Sequence, residues 1–143
     1  GAVGLTMLTI AEGKCNLGLV QAVALGMGCN ALVCLAVWLC FSARSVADKV
    51  LAILFPITAF VACGMEHSVA NMYFVPAGLI VMDVAPDAFW ESIGRTSGDF
   101  IALRWDRFFI GNLMPVTIGN VIGGALMVGL VYWFVYLRRA KSL

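Results

Sequence analysis

The chain has 143 residues, of which 62% are hydrophobic and only 12% charged, with a formal net charge of +1 and a mean hydropathy of +0.98. A soluble domain carries about 25% charge, so this composition excludes one. Nucleic-acid binding, which needs clustered Lys and Arg, is excluded by the near-neutral balance without a dense basic run. What is left is an integral membrane protein of the helical class, because apolar stretches of ~20 residues recur where a β-barrel strand would alternate.

The chain opens "GAVGLTMLTI", with no initiator Met and no charged segment ahead of a cleavage site, and so reads as a piece of a longer protein. Lys14 follows in "AEGKCN", where a lysine beside a span is most simply an interfacial side chain snorkelling to water. The first span is expected over residues 18–41, "GLVQAVALGMGCNALVCLAVWLCF", 24 residues without a charge. A polar turn, residues 42–49, carries Arg44 and Lys49 against one acid.

The next apolar run, residues 50–82, is 33 residues long and as one straight helix would reach roughly 50 Å, well beyond a bilayer core of about 30 Å. A break is therefore expected near residues 63–70, "CGMEHSVA", where Gly64 weakens the helix and Glu66, His67 and Ser68 bring polar groups that lipid rejects. The half-helices are expected over 50–62 and 71–82. Non-helical backbone at membrane depth is tolerated only inside protein or beside a water-lined cavity.

Residues 83–107 hold five acids and three arginines with Trp90 and Trp105, an extramembrane loop with room for a short surface helix. The last span is expected over 108–137, interrupted by Asn112, Pro115 and the glycine-rich "GNVIGGALMVG". Basic residues favour the cytoplasm, which puts the 42–49 turn and the C-terminal end (Arg138, Arg139, Lys141) inside and the 83–107 loop outside.

Glu66 and His67 carry the strongest chemical signal, since an ionisable group at membrane depth costs at least about 2.5 to 3.5 kcal/mol on insertion scales and points to function. The plainer reading of His67 is a core histidine bonded to backbone groups freed by the break. In a helix, His67 and Asn71 would share a face, and Phe60 would lie on nearly the same stripe, a bulky ring in line with a polar site. Taken alone, Phe60 reads as packing and Asn71 equally well as a cap of the second half-helix. Asn30 and Asn120 read as interhelical hydrogen-bonding amides, and Gly119 with Gly123 as a small-xxx-small contact.

The five cysteines, Cys15, Cys29, Cys34, Cys40 and Cys63, show no metal spacing. No nucleophile–base pairing or phosphate loop appears, and one histidine cannot supply both axial ligands of a membrane haem, so neither an enzyme nor a cofactor is expected. A membrane anchor subunit of a redox complex would explain the spans but not the acid–His–amide cluster.

Three stretches, "GMGCNALVCLAVW" (26–38), "SVADKVLAILFPITAFVACGMEHSVANMYFVP" (45–76) and "GNLMPVTIGNVIGG" (111–124), resemble the formate/nitrite transporter family over nearly the whole chain. The resemblance implies an all-α channel protomer of six spans in two pseudo-symmetric, aquaporin-like halves, each with a broken helix, assembled as a homopentamer in the cell inner membrane. This chain resembles the C-terminal half, so the missing N-terminal half is an implied partner, with the lipid bilayer around both. Implied cargo is formate or a similar small anion, with a proton; nitrite and hydrosulfide are alternatives within the family. His67 resembles the central pore histidine, Asn71 its hydrogen-bonding companion, Phe60 a ring of the cytoplasmic-side constriction and Val33 part of the outer one. Glu66 and Lys14 resemble members of a buried charge network behind the histidine, with Asn30 and Asn120 as polar neighbours.

Overall fold

Helix termination, more than helix formation, organises this chain. A computed structural model describes residues 1–138, and among these every regular element is helical. Of the C-terminal basic residues that bear on orientation, Arg138 is described, while Arg139 and Lys141 lie outside the described residues.

α1 (Ala2–Cys15) occupies a stretch that hydropathy does not announce, because Glu12, Lys14 and two glycines dilute it. It closes at Asn16, whose N–H reaches the Glu12 and Gly13 carbonyls. α2 (Leu19–Cys40) is 22 residues long and apolar enough to cross a membrane.

α3 (Val46–Ala62) begins inside the expected 42–49 turn. The reason is a reciprocal cap: the Asp48 N–H donates to Ser45 Oγ at 3.1 Å, and the Ser45 N–H donates back to Asp48 Oδ2 at 3.0 Å. The helix can therefore start earlier than its apolar run. Hydrogen bonds from the Ser45 side chain first, then from the Ser45 and Arg44 main-chain N–H groups, hold the Asp48 carboxyl below its usual range.

α3 stops at Gly64, whose φ of +61° is the left-handed conformation that glycine adopts without penalty. The Gly64 N–H bonds to the Val61 carbonyl at 3.0 Å and the Met65 N–H to the Phe60 carbonyl at 3.0 Å, closing the end of the helix. α4 (Ser68–Val84) starts after three further residues. Each half is 17 residues long, about 25 Å, short of a full crossing. The second half starts at Ser68, ahead of the expected Asn71, which places Asn71 inside the first turn and removes its reading as the cap.

α4 ends before Pro86, and α5 (Asp87–Ile93) follows at a bend of 112°. The 83–107 stretch thus contains a short helix and a 3-10 turn at Ser97–Asp99 capped by Thr96 and Asp99. The terminal helix, Arg107–Leu137, is 31 residues long and apolar enough to cross, with its turns widened to π geometry over much of its length.

These elements form two compact units. In the first, residues 1–22 and 68–115, α1 lies along α4 and the core gathers Leu8, Ala11, Val75, Leu79, Phe100, Leu103 and Phe108. Gly78 permits this approach, because a Cβ there would overlap that of Ala11. In the second unit, residues 23–67 and 116–143, α2 meets the later part of the terminal helix through glycines. A Cβ at Gly119 would overlap the Val23 carbonyl, and one at Gly123 the Met27 carbonyl. The small-residue pattern sits at a backbone-to-backbone contact. α3 buries no residue at all, leaving Leu51, Ile53, Leu54 and Phe55 exposed.

Gly13 and Gly64 both face open space, yet only Gly64 has a positive φ. In the full-length protein, Gly64→Ala should lower stability by about 1 to 2 kcal/mol, whereas Gly13→Ala should lower it not at all; thermal unfolding in detergent compares them. Because the Asp48 pKa is depressed, its cap adds stability above the unfolded carboxylate's pKa and loses it as pH falls through the lower folded value. The protection of the Ser45 amide, its exchange rate taken relative to the intrinsic rate at the same pH, should fall on acidification below about pH 4, and Asp48→Asn should abolish that fall.

Candidate functional site

The break between α3 and α4 takes Met65, Glu66 and His67 out of helical geometry, and an amide from elsewhere in the chain receives the Glu66 carbonyl. Asn120, from the terminal helix, donates through Nδ2 to the Glu66 carbonyl at 3.0 Å and to the Gly26 carbonyl of α2 at 2.9 Å. The Glu66 N–H approaches the Leu25 carbonyl at 3.4 Å. Asn30 in turn donates to the Asn120 main-chain carbonyl at 2.6 Å and packs on Gly124, where any side chain would collide with it. Asn30 and Asn120, expected as interhelical amides, thus join α2, the terminal helix and the broken segment. Their bonds fix the main chain on the residue before His67.

The Phe60 ring lies 6.4 Å from the His67 imidazole, centroid to centroid, with 34° between the planes. The capping of α3 explains this proximity: Phe60 supplies the carbonyl that Met65 closes on, so the chain turns back and His67 returns beside the ring. Glu66 is buried at 5% exposure while His67 is partly open. Val33, three residues past Asn30 on α2, is partly buried.

Lys14 and Asn71 belong to the first unit. Asn71, fully buried, donates through Nδ2 to Asn112 Oδ1 at 2.7 Å, and Asn112 Nδ2 donates to the Lys14 carbonyl at 2.9 Å. The Lys14 ammonium stands 5.7 Å from the centre of the Phe74 ring, a cation–π placement that holds the charge against an aromatic face. Asn112 is the residue that sequence reasoning did not single out. Its signal was present, an amide inside an apolar run, but it was indistinguishable from the other interruptions of the last span.

Chemically, the second unit offers an imidazole beside an apolar ring on a clamped, non-helical backbone, and the first a buried amide pair tied to the main chain of a lysine. Among the described residues no three His, Cys, Asp or Glu side chains gather as a metal site requires. All five cysteines are free thiols.

Comparison with known proteins gives a consistent outcome. The family described as formate/nitrite transporter matches residues 1–134. The chain is 46% identical over 139 residues to the formate channel FocA of Escherichia coli (strain K12), covering 97% of this chain and 49% of that protein. It is 43% identical over 132 residues to a probable formate transporter of Methanothermobacter thermautotrophicus, covering 91% of this chain and 41% of the relative. A solved pentameric formate channel with formate bound superposes with a TM-score of 0.91 at 44% identity, over 96% of this chain and 54% of the other. The chain therefore spans about half the length of the relatives it matches.

Replacing Asn120 with Leu removes the donor to both the Glu66 and Gly26 carbonyls. Thermal unfolding of the full-length protein should register a loss of about 1 to 3 kcal/mol. Asn30→Leu, which removes one donor to one carbonyl, should cost less.

Proposed function

The chain belongs to the formate/nitrite transporter family, and on that premise we propose that the protein it forms part of conducts formate and related small monovalent weak acids across the cell inner membrane. The protein is a channel and not an enzyme. The working unit is a homopentamer in which each protomer completes its own pore with a second half beyond the present chain; the relative that superposes on this one is pentameric. The 42–49 turn and the C-terminal end face the cytoplasm and the 83–107 loop faces outward, following the distribution of Arg and Lys. Formate stands ahead of nitrite or hydrosulfide because the relatives named above are formate channels or transporters.

The observation that carries this reading is the imidazole of His67 beside the ring of Phe60. A bare anion in an apolar constriction pays a large desolvation penalty, and its neutral conjugate acid does not. A side chain able to hand over a proton next to the constriction removes that penalty at the point where it is greatest. Imidazole suits the task, because its unperturbed pKa of about 6.5 lies within the working range. In this scheme Lys14 and the half-helix ends draw the anion inward. His67 binds and protonates it directly or through water, Asn71 shares the binding, and the neutral acid passes Phe60. Val33 lines the outer constriction, while Glu66 orients the imidazole with Asn30 and Asn120 holding its backbone.

His67→Asn in the full-length protein, reconstituted in liposomes, tests the relay. Asparagine hydrogen-bonds but does not titrate, so formate flux should fall by about tenfold or more and lose its dependence on pH between about 5 and 8. Unchanged flux with an unchanged pH profile would remove the relay, and a formate flux carrying no proton would leave His67 as a hydrogen-bond donor to a charged anion.

A further inference from the structure

In the second unit α2 and the terminal helix run parallel, since Gly119 meets Val23, Gly123 meets Met27, and Trp38 meets Tyr132 and Tyr136. Both helices therefore finish at the same end of that unit. The start of α3 returns there, with the Lys49 carbonyl oxygen 3.9 Å from Cys40 Sγ. Past the glycine contacts, aromatic rings replace the close backbone approach: Trp38 stands 6.1 Å from Tyr132 at 87° and 6.3 Å from Tyr136 at 67°. Two adjoining clefts of about 330 and 160 Å³ share Trp38, Val128 and Tyr132, and their walls are almost wholly apolar. A third, of about 370 Å³, leads from Trp38 past Phe41 to Ser42. The rings of this region remain exposed, Trp38 at 42% and Phe41 at 77%.

From this we infer that this end of the second unit binds an anionic diacyl phospholipid, its acyl chains in the clefts around Trp38 and its phosphate at the turn between α2 and α3. The rim supplies the opposite charge. Arg44 and Lys49 are both exposed on that turn, and its one acid, Asp48, is engaged by the Arg44 and Ser45 N–H groups. Arg138, 5.0 Å from the Phe134 ring, adds positive charge where the terminal helix ends. Trp and Tyr keep an apolar body among acyl chains and an N–H or O–H at headgroup level. Trp38, Tyr132 and Tyr136 thus bring donors for phosphate and glycerol oxygens to the border between cleft and turn. Apolar walls beneath a cationic rim match the two parts of such a lipid, and basic pockets between membrane helices on the cytoplasmic side suit anionic headgroups. The inference rests on the membrane placement in the reading above, and not on its cargo.

Native mass spectrometry of the full-length protein in detergent tests this, with phosphatidylglycerol or phosphatidylcholine of identical acyl chains added. Gly129 lines the 330 Å³ cleft, and a Cβ there would meet only the Gly124 carbonyl oxygen, at 3.3 Å. Gly129→Leu therefore fills the cleft from its wall. The wild type should retain phosphatidylglycerol over phosphatidylcholine, and Gly129→Leu should assemble, conduct formate as before and lose one phosphatidylglycerol per protomer. Arg44→Gln and Lys49→Gln should each weaken the preference for the anionic lipid about fivefold. Glycerol phosphate, which has the headgroup chemistry without the chains, should not displace the lipid; displacement would make this a site for free phosphate esters and refute the assignment. Equal retention of the two lipids, or a full phosphatidylglycerol complement on Gly129→Leu, would overturn the inference. Failure of Gly129→Leu to assemble would also overturn it, by putting protein where the lipid is proposed. Failure of the channel reading would appear separately, as absence of formate flux in the wild type with the lipid counts unaffected.

Discussion

The structure depends on closing a helix in the middle of an apolar run. Between Ala62 and Ser68 the backbone leaves helical geometry, and each peptide group released there would cost several kcal/mol if left unpaired in hydrocarbon. Gly64 accommodates the turn because it tolerates a φ of +61°, and its neighbours close on the Val61 and Phe60 carbonyls. Asn120 then receives the Glu66 carbonyl and ties it to α2 through Gly26. The imidazole of His67 is the next residue in the chain, so the satisfaction of its neighbour's backbone is also the placement of the histidine.

Glycine makes this economy of contacts feasible. An asparagine side chain is short, and it can reach a carbonyl on another helix only if the backbones approach closely. Gly119 and Gly123 let the terminal helix come against the Val23 and Met27 carbonyls, and Gly124 leaves the space that Asn30 fills. In the first unit Gly78 does the same for α1 and α4, and Asn112 of the terminal helix bonds to Asn71 of α4 and to the Lys14 carbonyl of α1. Both units therefore use one device, small residues for proximity and a buried amide for direction. Interhelical amides are worth on the order of 1 kcal/mol each, so their value here is geometric more than energetic.

For transport, the device separates two demands that conflict in a narrow pore. Selecting a small acid needs polar groups, and passing it needs a dry slit. In the proposed mechanism the polar groups sit on a clamped, non-helical segment beside Phe60, and a proton transfer changes the cargo's charge between the two environments. The titratable His67 acts in that mechanism on one property of the cargo, whether it carries its proton.

Much of this was legible in residue order. The membrane class followed from composition, and the break at Gly64 from a run too long for one helix with an acid, an imidazole and a hydroxyl in its midst. Family resemblance rested on three stretches, residues 26–38, 45–76 and 111–124, each of which is local. The start of α3 was misplaced because a four-residue cap outweighed hydropathy, and Asn71 was open to a capping role because the first turn of α4 could not be located from pattern alone. α1 went unmarked, since its burial comes from α4 and not from its own periodicity. Asn112 shows the limit most clearly. An amide among apolar residues is visible in one dimension, but which groups it meets depends on residues 41 and 98 positions away in the chain. Sequence determined which groups had to be satisfied, because the chemistry of an unpaired donor in hydrocarbon is local; only the tertiary structure decided by which partner and in which direction, because hydrogen bonds between helices depend on distances that packing alone sets.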